Sequence, residues 1–443
     1  MKKSKSLFSC MLAFALIVSI FKLNTLSATA TPAPSTKPVI GILDLNSAPS
    51  VDKLDTEGYK WDAATNTLTL DGINIEVTDG SLAGLIFDDD LNIVLSKDSV
   101  NSITVTPLEG QVGQAGLMNL NSGDGIIPKL TLSGEGSLDI IAPVAIDCEY
   151  LEIKSGNYTF TSNAETEPIV VAAEYFNMSG GIVDIVCEVD DAIGLVCNQF
   201  MVSGGELNVS LYGDESLGIG GPDNRWNTPE ADLLFSVSGG KINVELTGEY
   251  SDGIFFNANF DISGGDISIL SSYTGLSCLK LNMTGGHFIS TITSEDTYWH
   301  LAVLIYAEPD FNYTEYKKLV NLGDKIEIKQ GGHLCGVTYP GQSGSLGLAY
   351  VGFTNSTKEY LDVMTSEVTE LSSIVELGEK KTVPTPKPDD EDKPNVKPVD
   401  NVKPDNNNPS TNPNTNAVDY EVVLLLLSGL LLGALILKKK ACR

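Results

Sequence analysis

The stretch Phe200-Met201-Val202-Ser203-Gly204-Gly205-Glu206-Leu207-Asn208-Val209 recurs along the chain. It returns over residues 176–185, 235–244 and 260–269, and more loosely over 281–290. Weaker copies occupy 130–140 and 151–160. The shared pattern is two runs of alternating apolar and polar residues flanking a glycine pair. Alternation of that kind reads as strand, and a glycine pair between strands reads as a tight corner. Glycine suits the corner because it accepts positive φ and lets neighbouring backbone come close.

Spacing then limits the architecture. The corners begin at Gly134, Ser155, Gly180, Gly204, Gly239, Gly264 and Gly285, at intervals of 21, 25, 24, 35, 25 and 21 residues. A period in this range marks a solenoid, in which each repeat buries its apolar face only by stacking on its neighbours. The repeat is too short for paired helices or propeller blades and has no helical face. It predicts an all-β fold, a single-stranded parallel β-helix of about ten coils over residues 39–292, with coils at the inter-strand distance of ~4.8 Å. Further coils are expected at Leu91-Asn92-Ile93-Val94-Leu95 and Ile103-Thr104-Val105. Tyr59 and Trp61 are expected to cover the open first edge, which would otherwise invite aggregation.

Two irregularities in the wall are the candidate sites. In the long interval, Asp223, Asn224, Arg225 and Trp226 offer an aromatic ring and polar groups to a sugar, since insertions in solenoids map to loops on one face. The alternative is an ordinary excursion whose Trp packs back on the coil. The second irregularity is acidic: Asp190-Asp191, Asp214-Glu215 and Glu249 fall at one offset from their corners. Gly194, Gly218 and Gly253 share a later offset, which supports the register. In register, the carboxylates of Asp190, Asp191, Asp214, Glu215 and Glu249 stack about 5 Å apart. Such a column is either solvated or bridged by a hard cation such as Ca²⁺.

Charge and cysteine content narrow the partners. Net charge is −30, from 28 basic and 58 acidic residues, and the only arginines are Arg225 and Arg443. Phosphate contacts need clustered Lys and Arg, so a nucleic-acid partner is not expected. Seven cysteines occur at irregular spacing. Cys148, Cys197 and Cys278 are expected on one rib as small buried apolar groups rather than as a disulfide framework.

The termini read as address and anchor. Lys2, Lys3 and Lys5 precede an apolar run, and Ala28-Thr29-Ala30 offers a cleavage site, so residues 1–30 read as a signal peptide. Residues 31–38 are a lead-in. Residues 293–378 read as C-terminal coils and cap, with strands at 325–329 and 346–353, a short helix or irregular cover over 309–322 and a short helix over 358–369. Residues 379–420 are a Pro/Asp/Asn-rich disordered spacer. Residues 421–443 are an apolar segment with a basic end, a hydrophobic helix expected to anchor in the membrane.

Catalytic signatures are missing: there is no His-Glu-x-x-His, Gly-x-Ser-x-Gly or phosphate loop. His287 and His333 follow glycine pairs and read as corner residues.

Tyr59-Lys60-Trp61-Asp62, Leu68-Thr69-Leu70-Asp71-Gly72, the Ser-Gly-Gly repeats and Gly218-Ile219-Gly220-Gly221 carry a resemblance. Over residues 58–290 the chain resembles secreted bacterial surface proteins with a right-handed parallel β-helix. These are often described as carbohydrate-binding and are related in fold to polysaccharide lyases. The resemblance implies a non-catalytic, glycan-binding or adhesive role at the cell surface. A Ca²⁺-dependent lyase, with Arg225 as the base, and a structural adhesin for host protein are the alternatives. The tail resembles a Gram-positive sorting signal. Asn412-Pro413-Asn414-Thr415-Asn416 is similar to the Asn-Pro-x-Thr-Asn pentapeptide of some sortases, which implies cutting after Thr415 and attachment to the cell wall.

Overall fold

A computed structural model describes residues 37–108, 113–120, 127–221, 233–293, 301–307, 318–339, 348–355, 360–362 and 371–380. The expected signal peptide, most of the expected lead-in, the expected spacer beyond residue 380, the expected membrane segment and the expected sorting pentapeptide lie outside them. So do Asp223, Asn224, Arg225 and Trp226. Every described residue falls within the first of two compact units, 1–382.

The described chain is all-β, with no α-helix. Its strands pair mainly parallel, each segment with its equivalent one repeat later, and they form three ladders. The first stacks Leu130, Leu151, Phe176, Phe200, Phe235, Phe260 and Leu281. The second stacks Ile140, Phe160, Ile185, Val209, Val244 and Ile269. The third runs from Leu43 through Leu85, Leu117, Ile146, Val171, Leu195, Ile219, Ile254 and Leu276 to Val303, ten strands deep. One repeat visits the third ladder at Ile193–Val196, the first at Gln199–Val202 and the second at Glu206–Leu211. It then re-enters the third at Leu217–Gly220.

Alternation decides which side is buried. In Glu206–Leu211 the side chains of Leu207, Val209 and Leu211 are buried and those between are not. Stacked in register, these residues make one apolar interior from Leu43 to Leu377. Each repeat alone would leave its stripe wet, so the repeats stabilise one another chiefly by burying apolar surface.

The two corner glycines have different tasks. The second of each pair is left-handed: φ is +84° at Gly181, +86° at Gly205, +80° at Gly240 and +82° at Gly265. The first is needed for close approach. A Cβ on Gly180, Gly204, Gly239 or Gly264 would sit 2.3–2.5 Å from a backbone carbonyl of the preceding repeat. The corners therefore line one ridge, clasped by Glu206 N donating to Gly181 O and Lys241 N to Gly205 O, both at 2.9 Å.

The long interval does not break the register. Phe200 pairs with Phe235 and Leu217 with Asp252, so the strands on both sides of residues 222–232 keep their places in the ladders.

Antiparallel strands close both ends. Val51–Lys53, Tyr59–Asp62 and Thr67–Leu70 form a meander on the first edge. There Tyr59 and Trp61 are buried, and Trp61 Nε1 donates to Ala48 O at 3.0 Å. At the other end Ile374–Glu379 pairs antiparallel with His287–Ile292 and with Ile326–Gln330. The strand expected at 346–353 is found at Leu348–Thr354, and the one at 325–329 at Ile326–Gln330. Within the helix expected over 358–369, residues 360–362 instead form a strand, Tyr360–Asp362, pairing with Gly336–Thr338. Pairing to a waiting strand edge overrode local propensity there. Of the helix or irregular cover expected over 309–322, the described end carries the strand Val320–Leu322, which continues the first ladder.

Candidate binding pocket

The third ladder ends in a polar break. The column Ile193, Leu217 is apolar, and the next three rungs are Asp252, Thr274 and Leu301. Three residues further along each strand, Phe255, Ser277 and Leu304 stack in the same way. The antiparallel strands His333–Tyr339 and Leu348–Thr354 pack over this end. Together they build a second, smaller core from Leu301, Leu304, Cys335, Val337, Tyr350 and Leu371. Tyr306 and Tyr350 face each other across the antiparallel pair, with ring centroids 5.5 Å apart.

Between ladder and cap lies a cavity of about 220 Å³. It is lined by Asp252, Phe255, Tyr273, Thr274, Ser277, Leu301, Leu304, Tyr306 and Tyr350. Its rings stand steeply to one another, Phe255 to Tyr306 at 72° and Tyr306 to Tyr350 at 59°. Tyr250, on the turn before Asp252, tilts at 60° against Tyr273.

Asp252 is the only charged residue among the described residues that line the cavity. Burial pushes its carboxyl up to about 6, against the opposing pull of hydrogen bonds from Thr274. Its Oδ1 is out of solvent and has no hydrogen-bond partner among the described residues. The neighbouring phenols report the same confinement. Burial, then the nearby Asp252 charge, raises Tyr273 and Tyr306. Burial, then Tyr306 and Tyr273, pushes Tyr350 up to about 12. Near neutral pH the cavity thus holds one carboxylate among neutral rings. Among the described residues no second carboxylate lines it.

The acidic row is in register but braces the turns. Asp214 N donates to Asp190 Oδ1 at 2.9 Å, and Glu249 N to Asp214 Oδ1 at 2.7 Å. Asp191, Glu215 and Tyr250 occupy the left-handed position beside them, at φ of 54–56°. Beneath the row runs a buried serine ladder. Ser216 N donates to Ser251 Oγ at 3.1 Å, and Ser251 N to Ser272 Oγ at 2.9 Å. Among the described residues no group of three or more His, Cys, Asp or Glu is arranged to hold a metal ion.

The five described cysteines are free and buried. His287 and His333 both follow a left-handed glycine, and His287 Nε2 lies 3.1 Å from Glu376 Oε1 on the closing strand.

A family model for carbohydrate-binding domain-containing proteins matches residues 59–297, more than half of the chain. The chain belongs to this family. No curated protein and no solved structure matches the chain. The family region runs from the N-terminal meander to the last full repeat, and it includes the Asp252, Phe255, Tyr273, Thr274 and Ser277 wall of the cavity. The wall carrying Tyr306 and Tyr350 lies beyond it.

Sequence reasoning did not find this pocket. Its one local signal was Asp252 in a column that is otherwise apolar up to that point. Tyr306 and Tyr350 are brought there by antiparallel pairing, which no repeat spacing encodes.

Proposed function

We propose that the chain is a carbohydrate-binding protein of the cell surface that acts without catalysis, and that the Asp252 cavity is where a sugar unit docks. The observation that carries this reading is the overlap of the family region with the polar, aromatic wall of the cavity. Sugars present apolar C–H faces and hydroxyl edges. Tyrosine rings cover the first, while a carboxylate and hydroxyls bond the second. A single carboxylate among the described lining residues supports binding rather than the acid–base pairing of glycoside hydrolysis. The test is a glycan array probed with the wild-type protein and with Tyr273→Ala and Tyr350→Ala. Glycan capture lost in both variants supports the reading; capture that neither variant changes removes the cavity from it.

The three ladders we take to be the faces of a right-handed parallel β-helix. The parallel crossovers support this, because such connections are right-handed in nearly all sheets. Attachment through the Asn412–Asn416 pentapeptide, with the spacer holding the repeats off the wall, is part of the same proposal. Wall digests yielding a fragment that ends at Thr415 would support it. Calcium on the acidic row is a separate proposal, since it would have to share Asp190 and Asp214 with the amides they cap. A rise in melting temperature with Ca²⁺ that vanishes in Asp214→Asn is the result it needs.

A further inference from the structure

We infer that the cavity recognises the ammonium group of an amino sugar, a saccharide unit carrying a free amine whose charge sits against Asp252 inside the cup of Phe255, Tyr273, Tyr306 and Tyr350. The inference rests on the carbohydrate-binding reading and names the class of sugar.

Three features of the cavity favour an ammonium group over a neutral sugar. The first is ring geometry. A neutral sugar stacks its flat face on a single exposed ring. Here Phe255 and Tyr306 lie at 72° to each other and Tyr306 and Tyr350 at 59°, and all three line one small volume. Several electron-rich rings around one small volume suit a compact cation better than the flat face of a sugar. The second is charge. Among the described residues, Asp252 lines the cavity with no basic residue beside it, and its Oδ1 has no hydrogen-bond partner. A neutral ligand leaves that carboxylate uncompensated, whereas an ammonium neutralises it and donates hydrogen bonds. The third is size. About 220 Å³ is below the roughly 300–1,000 Å³ of sites for drug-sized ligands, which suits one sugar unit. A hard metal ion fits poorly, because it needs six or more oxygen ligands rather than aromatic walls. The net charge of −30 also raises the local concentration of any cationic glycan.

The groups facing Asp252 keep a pH test readable. Phe255 comes from its own strand, Tyr273, Thr274 and Ser277 from the next rung, Tyr306 from the third and Tyr350 from the cap. The three phenols are all raised and stay neutral through the acid range. Between about pH 7 and pH 5 the described lining of the cavity therefore changes charge only at Asp252, while an amine becomes more fully protonated.

The experiment is calorimetric titration of the full mature protein with the tetramer of glucosamine and with its fully N-acetylated counterpart. The free-amine tetramer is expected to bind at least about tenfold tighter, with that preference lost near pH 5 and lost in Asp252→Asn. Tyr350→Leu, which keeps the carboxylate, should weaken the free-amine tetramer severalfold. Equal affinity for the two tetramers, or a preference that survives in Asp252→Asn, overturns the inference. If some neutral glycan then binds through Tyr273 and Tyr350, the carbohydrate-binding reading stands without it. If no glycan binds at all, that reading fails first and the ammonium inference falls with it.

Discussion

Phe200 and Phe235 are 35 residues apart in the chain, yet their rings stack with centroids 4.4 Å apart and planes 13° from parallel. Phe176 continues the stack below at 5.3 Å and Phe260 above at 3.9 Å. One repeat period has turned distant residues into vertical neighbours, and the longest interval leaves the register on both of its sides intact. Removing a ring from this column leaves a hole that neither neighbour can fill. Phe200→Ala should cost about 3–5 kcal/mol in chemical denaturation. A loss below about 1 kcal/mol would mean that the column is not packed.

The corner glycines should differ sharply from glycines elsewhere. Gly205→Ala places a side chain at φ +86° and its Cβ 2.7 Å from Gly181 O. Gly41 is not left-handed, and a Cβ there meets nothing within 4 Å. We expect Gly205→Ala to lower stability by more than about 1–2 kcal/mol while Gly41→Ala is neutral within about 0.5 kcal/mol. Similar melting temperatures for the two variants would contradict the ridge.

Asp252 makes stability pH-dependent, and the sign follows from its raised carboxyl. The folded group titrates at about 6 against an ordinary value of 3.8. Between those values the folded state holds more protons than the unfolded one, so this group's contribution to stability falls as pH rises from about 4 to 6. The destabilisation present above pH 6 is on the order of 2–3 kcal/mol. Asp252→Asn should remove it, raising stability at neutral pH and flattening the slope between about pH 4 and 6. A variant less stable than wild type at neutral pH would show that burial of the charge is not the controlling effect.

The turn row and the serine ladder beneath it should rank by burial. Asp214 is exposed and caps one amide of Glu249, so Asp214→Ala should cost about 1 kcal/mol or less. Ser251 is fully buried and accepts from Ser216 N, so Ser251→Ala strands a buried donor and should cost about 1–3 kcal/mol. Paired urea titrations give the order directly, and the reverse order would refute this account.

Cys148, Cys197 and Cys278 lie in the interior, where burial raises each thiol far above its ordinary range. The thiolate is the reactive form. Peptide mapping after alkylation should find these three unmodified in the native protein and fully modified in guanidinium. Labelling of any of them before unfolding would show that the repeats open locally.

How much of this was legible beforehand follows from range. The strands, the glycine ridge and the acidic register depend on contacts one repeat away, and a period of 21–35 residues writes those contacts into the order of side chains. Even so, spacing could not separate the two glycines. Only the coordinates show that Gly204 avoids a carbonyl while Gly205 takes the positive φ. Nor could it show that Asp190 and Asp214 spend an oxygen on a neighbouring amide. The pocket was beyond reach for a further reason. Tyr350 meets Tyr306 because a strand from outside the repeat turns back antiparallel and covers the last rungs, and such closure is selected by buried area and free strand edges. Periodicity carries information along the stack, whereas the end of the stack is settled by whatever surface is left to cover.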